Sequence, residues 1–519
     1  MLARQANGEA NVFDLKETAP KRAFITMYNK HKIDQIRGKL SIAVPGQLAG
    51  LHEAWKKYGK LPWNNLVSPS ENLAPNGFKI SKYLNRVMEY EILTLKRDPM
   101  LRSIFTVNGK PLKPGQTLIQ KTLADTLAEI AKGGIMAFYN GSIGQRLVND
   151  AMGSAGILSM DDLQSYRVKI RKPLTADVMG LQIVSAPPPS FDSACFSICS
   201  SMTNYDVIFH SYFAIRLLLM LFLSPMQVLK FLEQYGFLSG VSKALDVHRM
   251  IEALKYALSM RMELGDPDFI NLSKTLTSML STNTAKKLRD KINDAITYPS
   301  HHYFSKQKQI EDHGTTHVCV VNKDRNTVSM MISLNSIFGS GYMFLSTGIL
   351  LNNHMLDFSI PVPTEPPPAP SNFISPRKRP LSSTVPTVIL EGGQLKVAIG
   401  GAGGVLIPEA ILEVILNHFM RKMDPLSSVT APRYYHKLHP NVVQYENYSW
   451  MGAKYRAPLK TIKFLKSRNH NIVGDPASLS SCVFAVQETK GSDSGKIFAV
   501  TDARMDGSPA GYSIHKCFS

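Results

Sequence analysis

The sequence feature that most limits the fold is a pair of alternating, β-branched apolar runs near the middle of the chain. The runs THVCVV and TVSMMISL flank the polar stretch NKDRN, and this pattern predicts a β-hairpin. Directly before it come Gly314, Thr315 and Thr316. One explanation is structural, because threonine favours strands and glycine favours turns. The other is chemical: cleavage before a threonine would leave a residue that carries both a nucleophilic hydroxyl and its own amine base.

Composition excludes several classes of protein. With 519 residues, 44% of them hydrophobic, the chain can bury a large core, which excludes a disordered or fibrous protein. The formal net charge of +19 is mostly scattered, without the basic stretches interleaved with aromatic residues that single-stranded nucleic-acid binders use. A basic surface that attracts small anionic substrates therefore fits better than a nucleic-acid partner.

The five cysteines form no disulfide framework. Cys195 and Cys199 are four residues apart, but no second pair and no histidine couple completes a zinc site. We therefore expect no metal and no cofactor.

No segment of the sequence predicts a membrane anchor. The N-terminus, MLARQANGEA, has no apolar signal core. The longest apolar run, residues 213–223, is interrupted by Arg216 and is too short to span a bilayer. Taken by itself, the sequence predicts a soluble chain and leaves its compartment open.

The rest of the chain predicts a mixture of helices and strands. Apolar residues at three- and four-residue spacing predict helices in GQLAGLHEAWKKYG, LADTLAEIAKGG and LDVHRMIEALKYALSMRMEL. The second half is richer in predicted strands, at LSSTVPTVIL, LKVAIGGAGG, VFAV and IFAVTD. The proline-rich stretch PVPTEPPPAP predicts a surface linker, because proline cannot donate a ladder hydrogen bond inside a sheet.

Three further stretches contain candidate functional residues. The first, ILLNNHMLDF, groups four polar residues: Asn352, Asn353, His354 and Asp357. The second, RKRPLSS, ends in the hydroxyls of Ser382 and Ser383. The third, VAIGGAGGVLIPEAILEVIL, predicts a strand, a glycine-rich turn and a helix with Pro408 in its first turn, and such a turn can bind an anion or an oxyanion. Each stretch taken singly is better explained by structure than by chemistry.

Together, these motifs resemble the γ-glutamyltransferase (glutathione hydrolase) family, and most closely its plant members. The similarity runs through FDLKETAP, VPGQLAGLHEAWKKYGKLPW, AFYNGSIG, DDLQSY, LGDPDF, GTTHVCVVNKDRNTVSM, TGILLNNHMLDF, NFISPRKRPLSS, GGAGG and SPAGY, in the family's order. It covers nearly the whole chain. The resemblance implies an α+β fold, the four-layer αββα sandwich of the N-terminal-nucleophile (Ntn) hydrolases.

The resemblance also implies a self-cleaving precursor. The family's pattern puts the cut between Gly314 and Thr315, giving a large-subunit region, residues 1–314, and a small-subunit region, residues 315–519, that remain associated as a heterodimer. Thr315 would be the nucleophile, and its new α-amine, with an ordinary pKa near 8, would be the base. For Thr316 and His317 we expect a role in holding the strand, with a triad role for His317 as the less favoured alternative.

The binding roles follow from the same resemblance. The substrates implied are glutathione and other γ-glutamyl compounds, with water, amino acids or dipeptides as acceptors. Gly403 and Gly404 would stabilise the oxyanion. Three groups of residues would hold the glutamyl part: Asn335 and Asp357 for its ammonium, Ser382 and Ser383 for its α-carboxylate, and Ser333, at a position where the family usually has threonine, near the nucleophile. The family's compartments are the secretory route, the vacuole, the apoplast or a membrane anchor.

Three positions depart from the family pattern. Lys16 replaces the arginine that grips the glutamate carboxylate, and a lysine cannot form the two parallel hydrogen bonds of a guanidinium. His354 replaces a Glu or Gln that touches the substrate amine, and only the neutral imidazole can accept that hydrogen bond. Leu356 replaces an acidic residue beside Asp357. We expect weaker substrate binding and a loss of activity on the acid side.

Two larger departures keep a second functional class open. The chain begins well inside the family's large subunit, and residues 191–225 match nothing expected at that position. The first class is an autoprocessing γ-glutamyl transferase and hydrolase, which the site residues favour. The second is a non-catalytic or unstable relative, which these departures and Lys16 favour.

Overall fold

The computed structural model describes most of the chain: residues 1–153, 156–178, 180–190, 228–229, 232, 243–303, 306–308, 314–475, 480–487 and 494–511. The unexpected segment at residues 191–225 lies outside these ranges. Within them, no helix combines the length and the apolar character needed to cross a membrane.

The described helices concentrate in the first half of the chain. They are α1 (Ile33–Ile36), α2 (Gln47–Tyr58), α3 (Trp63–Asn76), α4 (Lys82–Tyr90), α5 (Ile92–Arg97), α6 (Pro99–Phe105), α7 (Lys121–Gly133), α8 (Met136–Tyr139), α9 (Ser142–Met152), α10 (Met160–Ser165), α11 (Lys243–Arg261), α12 (Ser273–Leu280), α13 (Thr282–Arg289), α14 (Ile407–Ile415), α15 (Pro425–Thr430) and α16 (Leu459–Lys466). Three of them, α2, α7 and α11, lie where the apolar spacing predicts helices.

The strands come from both ends of the chain. They are β1 (Leu2–Arg4), β2 (Ala10–Asp14), β3 (Phe78–Lys79), β4 (Thr106–Val107), β5 (Lys110–Pro111), β6 (Thr117–Leu118), β7 (Lys169–Arg171), β8 (Leu174–Val178), β9 (Leu181–Ser185), β10 (Gly314–Val321), β11 (Thr327–Asn335), β12 (Thr387–Glu391), β13 (Gln394–Ala402), β14 (Tyr434–His436), β15 (Val443–Trp450), β16 (Ala453–Arg456), β17 (Ile472–Asp475), β18 (Ser481–Gln487) and β19 (Ile497–Thr501).

The strands build two large antiparallel sheets, each of which contains strands from both sides of residue 314. The five-stranded sheet has the order β10-β11-β1-β2-β7, and the six-stranded sheet has the order β19-β18-β13-β12-β9-β8. The hairpin predicted around NKDRN is the pair β10 and β11, with Val318 opposite Met330. A smaller sheet holds β14 to β17.

The two large sheets stack face to face, and helices cover them outside. Leu2 and Val12 of the five-stranded sheet share one buried cluster with Val388 and Leu395 of the six-stranded sheet. Helices α11 and α14 bury their apolar faces in the same core as β8, β9, β12, β13 and β18. On the other outer side, α2 packs on β2, with the ring centroids of Phe13 and Tyr58 6.0 Å apart. This is the four-layer αββα arrangement that the sequence resemblance implies.

One strand is shorter than the pattern LSSTVPTVIL predicts. The strand β12 begins only at Thr387, and residues 381–386 are extended chain without ladder pairing. The physical reason is Pro386, which has no N–H to donate to a neighbouring strand. As a result, Ser382 and Ser383 lie in a connection at the end of the sheet.

Candidate active site

The candidate nucleophile lies at the start of β10, at the open end of the hairpin, where the pairing of β10 and β11 is irregular. Gly314 is opposite Asn335 and Thr316 is opposite Ile332, so Ser333 and Leu334 together face the single residue Thr315. A Cβ atom on Gly314 would lie 2.4 Å from the carbonyl oxygen of Asn335, so only glycine fits there. The bulge thereby turns Ser333 toward the Gly314–Thr315 peptide.

Two hydroxyls converge on the carbonyl group before Thr315. Thr315 Oγ1 donates to the Gly314 oxygen at 2.6 Å. The Ser333 hydroxyl donates to the same oxygen. Ser333 Oγ in turn accepts from the backbone N–H of Asn335 at 2.8 Å, which fixes its orientation. A donor on this oxygen stabilises the negative charge that develops when a nucleophile adds to the carbonyl carbon.

Asn335 links the nucleophile to a buried carboxylate. Its backbone is in the left-handed region, with φ of 70°, which is uncommon for a residue other than glycine. Its Nδ2 donates to Asp357 Oδ1 at 2.6 Å and to the Asn353 carbonyl at 3.3 Å. Asp357 ends the short 3-10 helix His354–Asp357 and is fully buried.

Lys16 brings a cation to that carboxylate from the loop after β2. Its Nζ is 2.8 Å from Asp357 Oδ2 and 2.8 Å from His354 Nδ1. Because an ammonium group can only donate, the second contact requires a neutral His354 with its lone pair on Nδ1 and its proton on Nε2. That nitrogen lies 3.3 Å from Glu17 Oε2, which is in turn 3.9 Å from Lys16 Nζ.

The charges of this cluster shift the pKa values of its members. Burial, the largest influence, opposes a charge on His354, but the carboxylates of Glu17 and Asp357 outweigh it and raise the pKa of His354. For Asp357, burial is again the largest influence and favours the uncharged acid, but the Lys16 ammonium beside it holds the pKa of Asp357 below the usual range. Asp357 is therefore ionised at neutral pH, while His354 gains a proton more readily than a free histidine.

Ser382 lines the same cleft as the charge cluster, and Ser383 is its buried neighbour. Ser383 is fully buried, and its Oγ accepts from the Nη2 of Arg261 at 2.6 Å. Ser382 Oγ is 3.2 Å from Thr384 Oγ1, and the backbone N–H of Ser382 donates to the Pro189 carbonyl at 3.0 Å. The positive charge behind Ser383 suits a negatively charged ligand at these hydroxyls.

One cleft brings together most of the residues proposed from sequence. Five of them line it: Lys16, Thr315, Ser333, His354 and Ser382. Glu17, which was not proposed from sequence, lines it as well. Three more, Asn335, Asp357 and Ser383, are buried behind the cleft wall. Asn335 is hydrogen-bonded to Ser333, Asp357 to Lys16 and Ser383 to Arg261. The glycine turn proposed for the oxyanion does not line this cleft. Gly403 and Gly404 have φ of 124° and 60°, so the turn after β13 depends on glycine at both positions.

His317 faces the space between the sheets and does not contact Thr315 in any hydrogen bond of the described chain. Its Nε2 is 3.2 Å from Cys319 Sγ and 3.3 Å from Ser329 Oγ. Burial lowers the pKa of His317 to about 3, which makes it a poor base. Its ring lies over Gly400, where a Cβ atom would come within 2.0 Å of it. These contacts fit the strand-holding role and oppose the triad role.

One group of side chains in the described part of the chain has the spacing of a metal site: His248, Glu252 and His470. Its atoms already have partners, because His248 Nδ1 is 2.8 Å from His470 Nε2 and Lys255 Nζ donates to Glu252 Oε1 at 3.0 Å. With Lys255 supplying the positive charge, the arrangement is a buried hydrogen-bond network.

Sequence reasoning missed Glu17 and Arg261. Glu17 follows Lys16 directly, so its place beside a proposed binding residue was a usable signal. Arg261 ends α11, and the pattern MRMEL contains nothing that separates it from a surface arginine. Its contact with Ser383 joins residues 122 positions apart, which only the tertiary structure reveals.

Comparison with known families gives one match over almost the whole chain. The family model described as gamma-glutamyltranspeptidase matches residues 1–213 and 222–512. The chain is 41% identical over 519 residues to "Glutathione hydrolase 2" of Arabidopsis thaliana, covering 98% of this chain and 85% of that protein. It is 30% identical over 526 residues to "Glutathione hydrolase proenzyme" of Escherichia coli, covering 99% and 83%.

Solved structures support the fold. The cephalosporin acylase from Bacillus halodurans superposes with a TM-score of 0.77 at 21% identity, covering 99% of this chain and 87% of that one. At this identity the similarity concerns the fold, which is that of an Ntn hydrolase.

Proposed function

Because this chain belongs to the γ-glutamyltranspeptidase family, we propose that it is a γ-glutamyl transferase and hydrolase that acts on glutathione and related γ-glutamyl compounds. Curated relatives named glutathione hydrolase, aligned over nearly the whole chain, support this activity. The observation that carries the residue assignment is the Thr315 hydroxyl, which lines the cleft and lies 2.6 Å from the Gly314 carbonyl oxygen. The acyl group passes to Thr315 and then to water, an amino acid or a dipeptide.

The first reaction is self-cleavage. Thr315 Oγ1 adds to the Gly314 carbonyl carbon, the peptide C–N bond breaks, and the amine of Thr315 leaves with the proton. The resulting ester is hydrolysed by water, which gives a carboxylate at Gly314 and a free hydroxyl on Thr315. Ser333 stabilises the oxyanion of the addition step through its hydrogen bond to the Gly314 oxygen. The name proenzyme, carried by the Escherichia coli relative, fits such a step.

The two products would remain together as a heterodimer. After the cut, β11 of the small-subunit region would still pair with β1, and β12 would still pair with β9. Both large sheets would thus contain strands of both polypeptides, and their shared core would have to be exposed to separate them.

The second reaction is turnover. The free Thr315 amine takes the proton of its own hydroxyl, and the oxygen attacks the γ-carbonyl of the donor. The amide C–N bond breaks, the leaving amine takes the proton, and a γ-glutamyl ester forms on Thr315. Backbone N–H groups of Gly403 and Gly404 are the proposed oxyanion donors, reached once the cut frees the chain before Thr315.

Donor recognition uses the two sides of the cleft. Ser382 and Ser383 receive the α-carboxylate, with Arg261 oriented on Ser383 at 2.6 Å. Asn335 and Asp357 receive the α-ammonium, beside His354 and Lys16. These roles come from the family pattern, and the charges found on each side support them.

Replacing Ser333 with alanine is expected to slow self-cleavage about 10²–10³-fold, the effect of losing one oxyanion donor. The measurement is the fraction of cut chain against time on a denaturing gel after synthesis in a cell-free system. Ser449→Ala, on the exposed side of β15, is the matched control and should cut at the normal rate. A Ser333→Ala chain that cuts as fast as the control would remove Ser333 from this step.

The pH dependence of kcat/KM should show two protonations on the acid side. A protonated His354 would repel both the Lys16 ammonium, which lies 2.8 Å from its Nδ1, and the donor ammonium. A protonated Thr315 amine could no longer accept the hydroxyl proton. Because the pKa of His354 is raised, its protonated form is present at a higher pH than for a free histidine, and activity is lost as pH falls through that value. The acid limb should therefore approach a slope of about two on logarithmic axes.

The variant His354→Gln isolates this effect. Glutamine keeps a hydrogen-bonding side chain without the titration, so the acid limb should fall to a slope of about one, set by the Thr315 amine. His301→Gln, at an exposed histidine, should keep the original slope. A His354→Gln profile that superposes on the unaltered profile would exclude His354 as the second group.

The activity itself is tested with a chromogenic γ-glutamyl anilide. Purified, cut protein should release the anilide, and addition of a dipeptide acceptor should accelerate release. A cut protein that binds glutathione without releasing the anilide would be the non-catalytic relative and would overturn the proposed function.

A further inference from the structure

Two glutamates are buried on α14, the helix that follows the glycine turn proposed for the oxyanion. Every residue of this helix is buried, and in its sequence, IPEAILEVI, only Glu409 and Glu413 carry polar side chains. Each of the two is 2% exposed. A buried carboxyl group costs free energy unless its polar atoms have partners. Two acids in an otherwise apolar helix therefore indicate a specific role.

Both carboxyl groups accept a hydrogen bond from the backbone of β14. Glu413 Oε1 accepts from the N–H of Tyr434 at 2.7 Å, and Glu409 Oε2 accepts from the N–H of His436 at 3.2 Å. The strand β14 is at the edge of its sheet, so these N–H groups have no further strand to pair with. The helix supplies the missing acceptors one turn apart, which ties α14 to β14 at two points.

The position of α14 bears on the oxyanion because the helix begins directly after the glycine turn. The strand β13 ends at Ala402, and Gly403 and Gly404 lead into the helix, which opens at Ile407. The N-terminal end of a helix carries a partial positive charge that favours an anion beside it. An oxyanion at the turn would gain from this end of α14, provided that the helix itself carries no negative charge.

We propose that Glu409 and Glu413 are positioning residues for the oxyanion turn, which hold α14 in place with neutral carboxyl groups and so leave its positive end to the oxyanion. The inference rests on the proposed function, since it concerns the oxyanion of that reaction. A rise of about 1.5 Å per residue puts Glu413 roughly 14 Å from Gly404. At that distance and an effective dielectric constant of about 20, an ionised Glu413 would slow the reaction by about tenfold.

Two arginines lie near Glu413, but each of them has another partner. Arg433 Nη2 donates to Asp502 Oδ2 at 2.6 Å, and Arg421 Nη1 donates to Asn417 Oδ1 at 2.6 Å. Their charges favour ionisation of Glu413 only from a distance, and burial outweighs them.

The other groups that face Glu413 add no positive charge. Glu446 pairs with Arg504 at 2.7 Å, and Cys482 of β18 stays a neutral thiol because burial raises its pKa to about 11. Burial, the largest influence, raises the pKa of Glu413 to about 8. The group is therefore mostly uncharged at neutral pH and ionises as the pH rises through that value.

Glu409 is uncharged for the same reason. Lys437 is exposed to solvent, Arg261 is bonded to Ser383, and burial holds the pKa of His436 well below its usual range, so its ring is neutral. Burial raises the pKa of Glu409 well above its usual range. The positive end of α14 favours ionisation, but this effect is small beside the cost of an unpaired buried carboxylate.

The experiment measures kcat for hydrolysis of γ-glutamyl-p-nitroanilide by cut enzyme at saturating donor, from about pH 7 to about pH 9.5. The unaltered enzyme should lose about tenfold in kcat over this range, as Glu413 ionises. Glu413→Gln keeps an oxygen that accepts from Tyr434 but does not titrate. It should match the kcat and KM of the unaltered enzyme at neutral pH and stay within about threefold of that kcat on the alkaline side.

Glu413→Ala tests the hydrogen bond itself, because it leaves the buried N–H of Tyr434 without its acceptor. Its kcat at neutral pH should fall by about tenfold or more, with retention of kcat in Glu413→Gln as the rescue. If the alanine variant does not fold, the alkaline profile of Glu413→Gln still decides the question.

Glu89→Gln, at an exposed glutamate of α4, is the matched control and should keep the alkaline decline of the unaltered enzyme. The inference is overturned if Glu413→Gln declines like this control, if the unaltered enzyme shows no decline, or if Glu413→Gln loses kcat at neutral pH. Any of these results leaves the proposed function intact. Cut enzyme that releases no anilide at any pH would overturn the proposed function and this inference with it.

Discussion

Replacing Thr315 with alanine is expected to leave a single uncut polypeptide of 519 residues that releases no anilide from a γ-glutamyl donor. Alanine has no hydroxyl to add to the Gly314 carbonyl, so neither the cut nor the new amine can form. Loss of a covalent nucleophile lowers kcat by roughly 10⁴-fold or more, because residual transition-state binding alone remains. A denaturing gel and an anilide assay on the same preparation measure both effects.

The adjacent threonine is the matched control for this result. Thr316 faces the exposed outer side of β10, so Thr316→Ala should cut normally and keep the activity of the unaltered enzyme. A Thr315→Ala chain that still divides into two fragments would show that another residue performs the cleavage.

The second large effect is expected for Asp357→Asn, which preserves the shape of the side chain and removes its charge. Lys16 and any donor ammonium would then face each other without the carboxylate that holds both. Truncating one partner of a buried charge pair costs about 2–5 kcal/mol, which corresponds to roughly 30- to 5,000-fold in kcat/KM for a γ-glutamyl donor. Steady-state kinetics on purified, cut enzyme gives this value.

Asp161→Asn is the control for Asp357→Asn, because Asp161 is half-exposed and pairs with Lys21 at the surface. It should change kcat/KM by less than about threefold, as surface ion pairs contribute little. If Asp357→Asn retains the kcat/KM of this control, the carboxylate takes no part in donor recognition.

The parts of the fold with strong local patterns were predictable. The hairpin of β10 and β11 has alternating apolar residues on either side of a polar turn, and α14 follows a glycine-rich turn with proline in its first turn, as the sequence predicts. The start of β12 was not predictable in the same way. The apolar, β-branched stretch before it predicts a strand, but Pro386 has no backbone N–H to donate, and the strand begins only after it. Local propensity and hydrogen bonding give opposite predictions there, and hydrogen bonding decides.

The family pattern pointed to most of the residues that meet at the cleft, but not to Glu17 or Arg261, and it could not give the electrostatics of the site. Lys16 and Asp357 are 341 positions apart, and nothing in either local sequence indicates that the ammonium lies on the carboxylate. The sequence predicted that Lys16 would bind the donor carboxylate more weakly than arginine. The structure adds a different role for Lys16, since its charge neutralises Asp357 before a donor arrives.

The central claim is that one residue becomes both the attacking oxygen and the base when the chain is cut before it. N-terminal sequencing and intact mass of the purified protein test this claim most directly. The account predicts two polypeptides, of 314 residues and 205 residues (519 minus 314), and a second amino end that reads TTHVCVV from Thr315. A protein that hydrolyses γ-glutamyl anilide while remaining one uncut chain, or one whose new amino end lies elsewhere, would contradict it.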